Sequence, residues 1–238
     1  MKFFALLPLL PFAIGSAHAA TIIDFDFSGV DGSSSHTKSS FEITTTDTID
    51  PNLTLVEGIN VKNDSVLNFT VSGGAATNDL NLSNWGGGSP GNLTNAINGN
   101  RYFSFFIQAA SGYQLNLNGA TLSTTLRRNG SAAPQDYAFT AVVAPANDND
   151  LSASDQIGSA GNYTNTSTHT YSVTFSGSQW DGITDEVEVR LYGYTATTGN
   201  THFSDLVIDN GSVTLIPEPT STLLLGLGGV LTLLRRKR

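Results

Sequence analysis

The chain predicts an all-β protein, an antiparallel β-sandwich of jelly-roll type, and three observations carry that expectation. Apolar and polar residues alternate with period two in a series of short stretches. No helical period of useful length runs between the two ends. Ser, Thr, Asn and Gly are plentiful while charged residues make up only 13% of 238 residues, the palette of polar-faced sheets with tight turns.

In chain order the alternating sets begin with Ile23/Phe25/Phe27, Phe41/Ile43, Leu67/Phe69/Val71 and Phe103/Phe105/Ile107. They continue as Tyr113/Leu115/Leu117, Leu122/Leu126, Tyr137/Phe139/Ala141/Val143 and Tyr171/Val173/Phe175. Val187/Val189/Leu191, Phe203/Val207 and Val213/Leu215 complete the series. Each reads as a strand with one buried face. Asn98-Gly99, Asn118-Gly119, Asn129-Gly130 and Asn210-Gly211 fall between sets, where Asn and Gly tolerate positive φ and turn the chain. Asn118-Gly119 is expected to join 113–117 to 120–127 as a hairpin. Residues 72–100 and 145–168, rich in Gly, Asn and Ser, are expected to be long loops. No repeat of fixed period is present, and residues 20–215 suffice for one β domain with its own core.

The ends have a different composition. Lys2, a Phe/Leu/Ala-rich stretch from Phe3 to Ile14, and Ala17-His18-Ala19 have the three-part layout of a secretory signal peptide over residues 1–19. Ala17 and Ala19 are the small residues that a signal peptidase reads. At the other end, 216–238, Leu223 to Leu234 form an apolar run. As a helix it spans about 18 Å, against a hydrocarbon core of about 30 Å, which makes it a brief stop in a membrane rather than a permanent anchor. Arg235, Arg236, Lys237 and Arg238 follow it and resist translocation. Before it, Pro217 and Pro219 fix their own φ and push Ile216 and Glu218 towards extended geometry, so this segment cannot join the helix.

Pro217-Glu218-Pro219, the short Gly/Leu helix and the basic tail resemble the PEP-CTERM sorting signal of Gram-negative bacteria, over the last 23 residues alone. That resemblance implies processing near Pro217, Glu218 and Pro219 by an exosortase, a membrane-embedded cysteine protease, and delivery to the cell surface or extracellular matrix. It implies nothing about the activity of the domain. Residues 111–130 and 187–215, "SGYQLNLNGATLSTTLRRNG" and "VEVRLYGYTATTGNTHFSDLVIDNGSVTL", resemble the sandwich domains that accompany this signal. The similarity lies in strands and turns, so it implies fold and no chemistry.

Without its two ends the chain keeps six basic residues against nineteen acidic ones, a net charge near −13. Such a balance excludes nucleic acid as a partner. There is no cysteine, so disulfides, thiolate metal sites and a cysteine nucleophile are excluded, and an exported domain must rest on its apolar core and backbone hydrogen bonds.

No catalytic constellation emerges. Gly87-Gly88-Ser89-Pro90-Gly91 matches the letters of a nucleophile elbow, but Pro90 has no N–H to offer an oxyanion. His36, His169 and His202 lack metal-binding spacing. A glycosidase pair among Asp181, Asp185, Glu186 and Glu188 would need two carboxylates about 5–9.5 Å apart across a cleft. Glu186 and Glu188 instead alternate with Val187 and Val189 and read as the wet side of a strand. Asp148, Asp150 and Asp155 in "NDNDLSASD" gather hard oxygen ligands of the kind calcium takes, and Asp205 with Asp209 form a second candidate; a solvated turn is the competing reading. No other cofactor is called for. Trp85 in "NWGGG" and Trp180 in "SQWDG" have glycine neighbours that leave room for a sugar ring on the indole, and Tyr192 and Tyr194 share a strand face with Arg190. The competing role of each aromatic is to cover a sheet edge or the core. The expectation is an exported, non-catalytic surface or matrix protein associated with exopolysaccharide. The alternative is a carbohydrate-binding module, with or without calcium, and a glycan hydrolase ranks third.

Overall fold

The computed structural model describes residues 20–25, 48–63, 69–71, 80–82, 85, 91–145, 151–195 and 199–216. The signal segment 1–19, the Phe41/Ile43 set, the Ser89 motif, Asp148, Asp150 and the tail from Pro217 to Arg238 lie outside them. The strands in chain order are β1 (Ile23–Phe25), β2 (Thr48–Ile49), β3 (Leu53–Asn63), β4 (Phe69–Val71) and β5 (Leu80–Leu82). After a short helix, α1 (Leu93–Asn98), come β6 (Arg101–Ala109), β7 (Tyr113–Asn116), β8 (Thr121–Asn129), β9 (Asp136–Val143) and β10 (Gln156–Asn162). β11 (Thr168–Thr174), β12 (Val187–Tyr194), β13 (Asn200–Phe203), β14 (Leu206–Asp209) and β15 (Ser212–Leu215) follow. No helix among the described residues is long and apolar enough to cross a membrane.

All pairings of these strands are antiparallel, and they build two large sheets. One has the order β10-β9-β12-β6-β3. The other is centred on β8, which pairs β11 along one side and both β13 and β14 along the other. β13 leads on to β5 and β4, and β14 to β1 and β2. The inward residues of the two sheets meet in one core: Phe25 of β1 packs edge-on against Phe105 of β6 at 6.3 Å, and Phe139 of β9 stacks on Tyr171 of β11 at 5.2 Å. The result is the antiparallel β-sandwich that the alternation predicts.

The structure corrects four details. β13 and β14 lie end to end against β8, but Leu126 faces Phe203 while Ser123 faces Val207, one residue out of step. The slip is a bulge at Ser204-Asp205, and it moves the inward set from Phe203 to Leu206 and Ile208, leaving Val207 half-buried. The Asn118-Gly119 turn does not make a hairpin. β7 pairs with β15 instead, and the turn carries the chain round the end of the sandwich into β8, with the Gly119 N–H donating to the Phe175 carbonyl at 2.9 Å. The two expected long loops contain β5, α1 and β10. Finally, β12 is buried along both faces, because α1 covers the side that was expected to be wet.

Helix α1 has no charged residue to mark its ends. Asn92 caps it, its side-chain oxygen accepting from the Asn95 N–H at 2.9 Å, and Leu93 and Ala96 turn inward onto Tyr102, Ala138, Tyr192 and Tyr194. This second, smaller cluster lies outside the main core, on the outer face of the five-stranded sheet.

Candidate functional site

Between β11 and β12 the chain makes a 3₁₀ turn, Ser178–Trp180, whose place is fixed by backbone bonds. The Leu117 and Asn118 N–H groups donate to the Trp180 carbonyl at 2.7 and 3.2 Å, and Leu115 and Ile183 exchange N–H···O bonds at 2.7 and 2.8 Å. The Asn118 amide also donates to Asp181 at 3.1 Å. The Trp180 ring rests edge-on against Phe175 at 4.9 Å and is buried in the main core at 7% exposure, so the expectation of an open indole platform at Trp180 is corrected. A second 3₁₀ turn, Ala153–Asp155, opens β10, where the backbone N–H and the hydroxyl of Ser152 both donate to one Asp155 carboxylate oxygen at 2.7 Å.

The two turns and the end of β9 enclose a cleft of about 260 Å³, lined by Val143, Asp155, Gln156, Ser176, Gln179 and Trp180, with further residues of β9 and β10. It brings together two residues that the sequence singles out, Asp155 and Trp180. It adds Gln156, Gln179 and Ser176, which sit in Gly/Ser-rich stretches and give no periodic signal. The Gln156 amide donates to the Gly158 carbonyl and the Gln179 amide to the Ser176 carbonyl, each at 3.2 Å. The wall thus offers a ligand the carboxylate and amide oxygens as acceptors, the remaining amide N–H groups as donors and the Ser176 hydroxyl as either.

The other aromatic candidates do not line the cleft. Trp85 is 1% exposed: its Nε1–H donates to the Leu82 carbonyl at 3.1 Å, and its ring packs on Tyr137 and Phe203. Gly193 of β12 makes room for it, since a Cβ there would sit 3.0 Å from the indole and 2.9 Å from Pro134. The expectation of an open Trp85 platform is therefore corrected; the indole fills the core. Tyr192 and Tyr194 do share a face with Arg190, but α1 covers that face and both rings are buried.

Beneath α1 lies a charge pair. Arg190 donates from Nε and Nη2 to the two carboxylate oxygens of Glu188, at 2.5 and 2.9 Å, and both side chains are 1% exposed. The guanidinium also lies 4.0 Å from the centre of the Tyr102 ring. Burial alone would lower the pKa of Arg190; Glu188 and Tyr192 more than offset this and hold it above its ordinary value. Burial raises the Tyr192 phenol as well, with Arg190 pulling the other way. Glu188, expected on the wet side of its strand, is thus a buried structural anion.

Of the aspartates expected to take calcium, Asp155 and Asp205 accept backbone N–H groups instead. Asp205 sits at the bulge, where its carboxylate accepts the Thr125 N–H at 2.5 Å and its carbonyl accepts the Thr124 hydroxyl at 2.6 Å. Asp209 accepts from the Thr21 hydroxyl. The two lie at opposite ends of β14, roughly 13 Å apart along the strand, and do not form one site. Among the described residues no three His, Asp or Glu side chains gather as a metal site.

The fold and cleft define a β-sandwich with a polar pocket at one end of its strands. No protein-family model matches the chain, and no curated protein does. Among solved structures it is similar to the xylan-binding module CBM15, with a TM-score of 0.43 and 10% identity over 64% of this chain and 88% of that one. It is similar to the K3 cleaved adhesin domain of Lys-gingipain from Porphyromonas gingivalis, with a TM-score of 0.41 and 14% identity over 81% and 99%. It is also similar to TmCBM27, a carbohydrate-binding module with specific mannan recognition, with a TM-score of 0.38 and 11% identity over 84% and 100%. At these scores no residue and no ligand transfers from them to this chain.

Proposed function

We propose that this chain is an exported, non-catalytic protein of the cell surface or extracellular matrix that holds polysaccharide. The observation that carries this reading is the cleft beside Trp180, where two amides, a carboxylate and a hydroxyl converge. At about 260 Å³ it is smaller than the roughly 300–1,000 Å³ of pockets for drug-sized ligands, a size suited to one sugar ring at a chain end or branch. The net charge near −13 of the segment between the two ends favours a neutral glycan over an acidic one. The passage of the chain from β8 to β9 and from β12 to β13, each time crossing between the sheets, supports the jelly-roll form.

In this reading a signal peptidase acts after Ala19. An exosortase-type protease acts near Pro217, Glu218 and Pro219, while Arg235, Arg236, Lys237 and Arg238 hold the tail on the cytoplasmic side. Hydrolysis is not part of the reading; of the four carboxylates considered for it, Glu188 is buried and held by Arg190.

Affinity electrophoresis and glycan arrays test it with the double variant Gln156→Ala/Gln179→Ala, which alters cleft side chains outside the core. Loss of two hydrogen bonds to the glycan lowers affinity by about tenfold or more, while the thermal transition falls only slightly, from the loss of the exposed bonds to Gly158 and Ser176. Undiminished binding would remove the cleft from the account. A wild-type chain that retains no glycan leaves a matrix protein without a carbohydrate site.

A further inference from the structure

The small sheet of β7 and β15 closes one end of the sandwich. The turn after β6 and the starts of β3 and β12 lie at the same end, because Leu53 is opposite Ala109 and Val187 opposite Ile107. The far end carries the segments near 135, 163 and 194: the Gln135 N–H donates to the Tyr194 carbonyl at 3.2 Å, and the Tyr163 N–H to the Gln135 carbonyl at 2.8 Å. β6, with 9 residues, spans about 30 Å between the two ends.

At the β7–β15 end the chain leaves the domain with two large apolar side chains in water. Leu215 is 67% exposed and Ile216 39%, and no other large apolar side chain among the described residues is exposed. Their backbone is held, since the Ile216 N–H donates to the Gly112 carbonyl at 2.9 Å. Residues 217–222 alone separate this point from the apolar run that begins at Leu223, and they reach at most about 20 Å, less than the length of the sandwich.

We propose that, while the chain is joined to its tail, the β7–β15 end faces the bilayer with Leu215 and Ile216 seated in the lipid interface. The proposal rests on the reading of Leu223 to Leu234 as a membrane stop. The short spacer brings this end to the membrane and leaves the far end out of reach, and seating the two side chains removes their apolar surface from water. Asp181 and Asp185, exposed at the same end, and the half-buried Glu186 set the lipid preference. Zwitterionic headgroups accept the contact and anionic ones repel it.

The absence of cysteine makes the test direct. Ser111→Cys and Ser167→Cys each place one fluorophore at an exposed position, the first beside Gly112 and the second at the far end. The chain from Ala20 to Arg238, without the signal segment, goes into phosphatidylcholine vesicles that carry a bilayer-embedded quencher. The expected result is a loss of fluorescence at 111 and none at 167. Adding Leu215→Ser/Ile216→Ser to the 111 label, or phosphatidylglycerol to the vesicles, reduces that loss while the chain still floats with the vesicles. Quenching at neither position in a chain that floats overturns the orientation and leaves the tail reading standing. Quenching at 111 that ignores the serine variant overturns the seating of the two side chains. A chain that stays in solution overturns both the proposal and the tail reading.

Discussion

Arg190 and Glu188 are two residues apart on one strand, so they project from the same face of the sheet, and α1 then seals them from water. Taking two charges out of water is costly, and their mutual attraction repays the cost only when the geometry is good and both partners are present. The two-point contact with Glu188 and the ring of Tyr102 supply that geometry here. Removing one partner strands the other. Arg190→Met is therefore expected to lower the unfolding free energy by about 3–5 kcal/mol in chemical denaturation, because Glu188 is left buried without a counter-charge. Glu188→Met/Arg190→Met is expected to recover most of the loss. A double variant as unstable as the single one would show that the pair does more than cancel its own desolvation.

At the scale of elements, the bulge between β13 and β14 shows a carboxylate mending a ladder. Where the extra residue interrupts pairing with β8, the Thr125 N–H would lack an acceptor, and Asp205 provides it. Asp205→Ala is expected to cost about 1–3 kcal/mol, while Asp205→Asn, which keeps the acceptor, costs less. A calcium ligand would behave otherwise, with a cost of Asp205→Ala that vanishes in chelator; the expected cost is the same with calcium and with chelator. The bulge also shows where sequence stops being legible. The inner faces of β6, β9, β11 and β12 are read correctly, but the outer faces of β6 and β9, with Tyr102, Ser104, Phe106, Ala138 and Thr140, are buried as well. Val207 is misplaced because the bulge resets the phase. β10, "QIGSAGN", has one large apolar residue and a glycine at φ +61, so no alternation survives. α1 is too short to show a helical period, and with it the cover over Tyr192 and Tyr194 is hidden. The cleft depends on pairing between residues far apart in sequence, Leu117 with Trp180, which spacing along the chain does not reveal.

For the whole molecule, two tyrosines tie the sheets together and make stability depend on their protons. The Tyr137 phenol bonds to the Thr201 hydroxyl at 2.7 Å and the Pro134 carbonyl at 3.0 Å, and Tyr171 donates to the Ser159 carbonyl at 3.0 Å. Burial pushes both phenols well above their ordinary value of 10.0, and Tyr194 and Tyr163 are raised by burial as well. The folded chain therefore holds these protons more tightly than the unfolded chain. Its advantage is complete below the unfolded pKa of 10.0 and is lost as the pH rises from there towards the folded values. The acidic surface, already near −13 in the segment between the two ends, adds repulsion in the same direction. The melting temperature is expected to be nearly flat up to about pH 9 and to fall steeply from about pH 10 upward. Tyr137→Phe/Tyr171→Phe lowers the melting temperature at neutral pH, since the hydroxyl bonds are gone, but makes the alkaline fall shallower. An unchanged alkaline slope in that variant would assign the pH dependence to surface repulsion instead of to the two buried phenols.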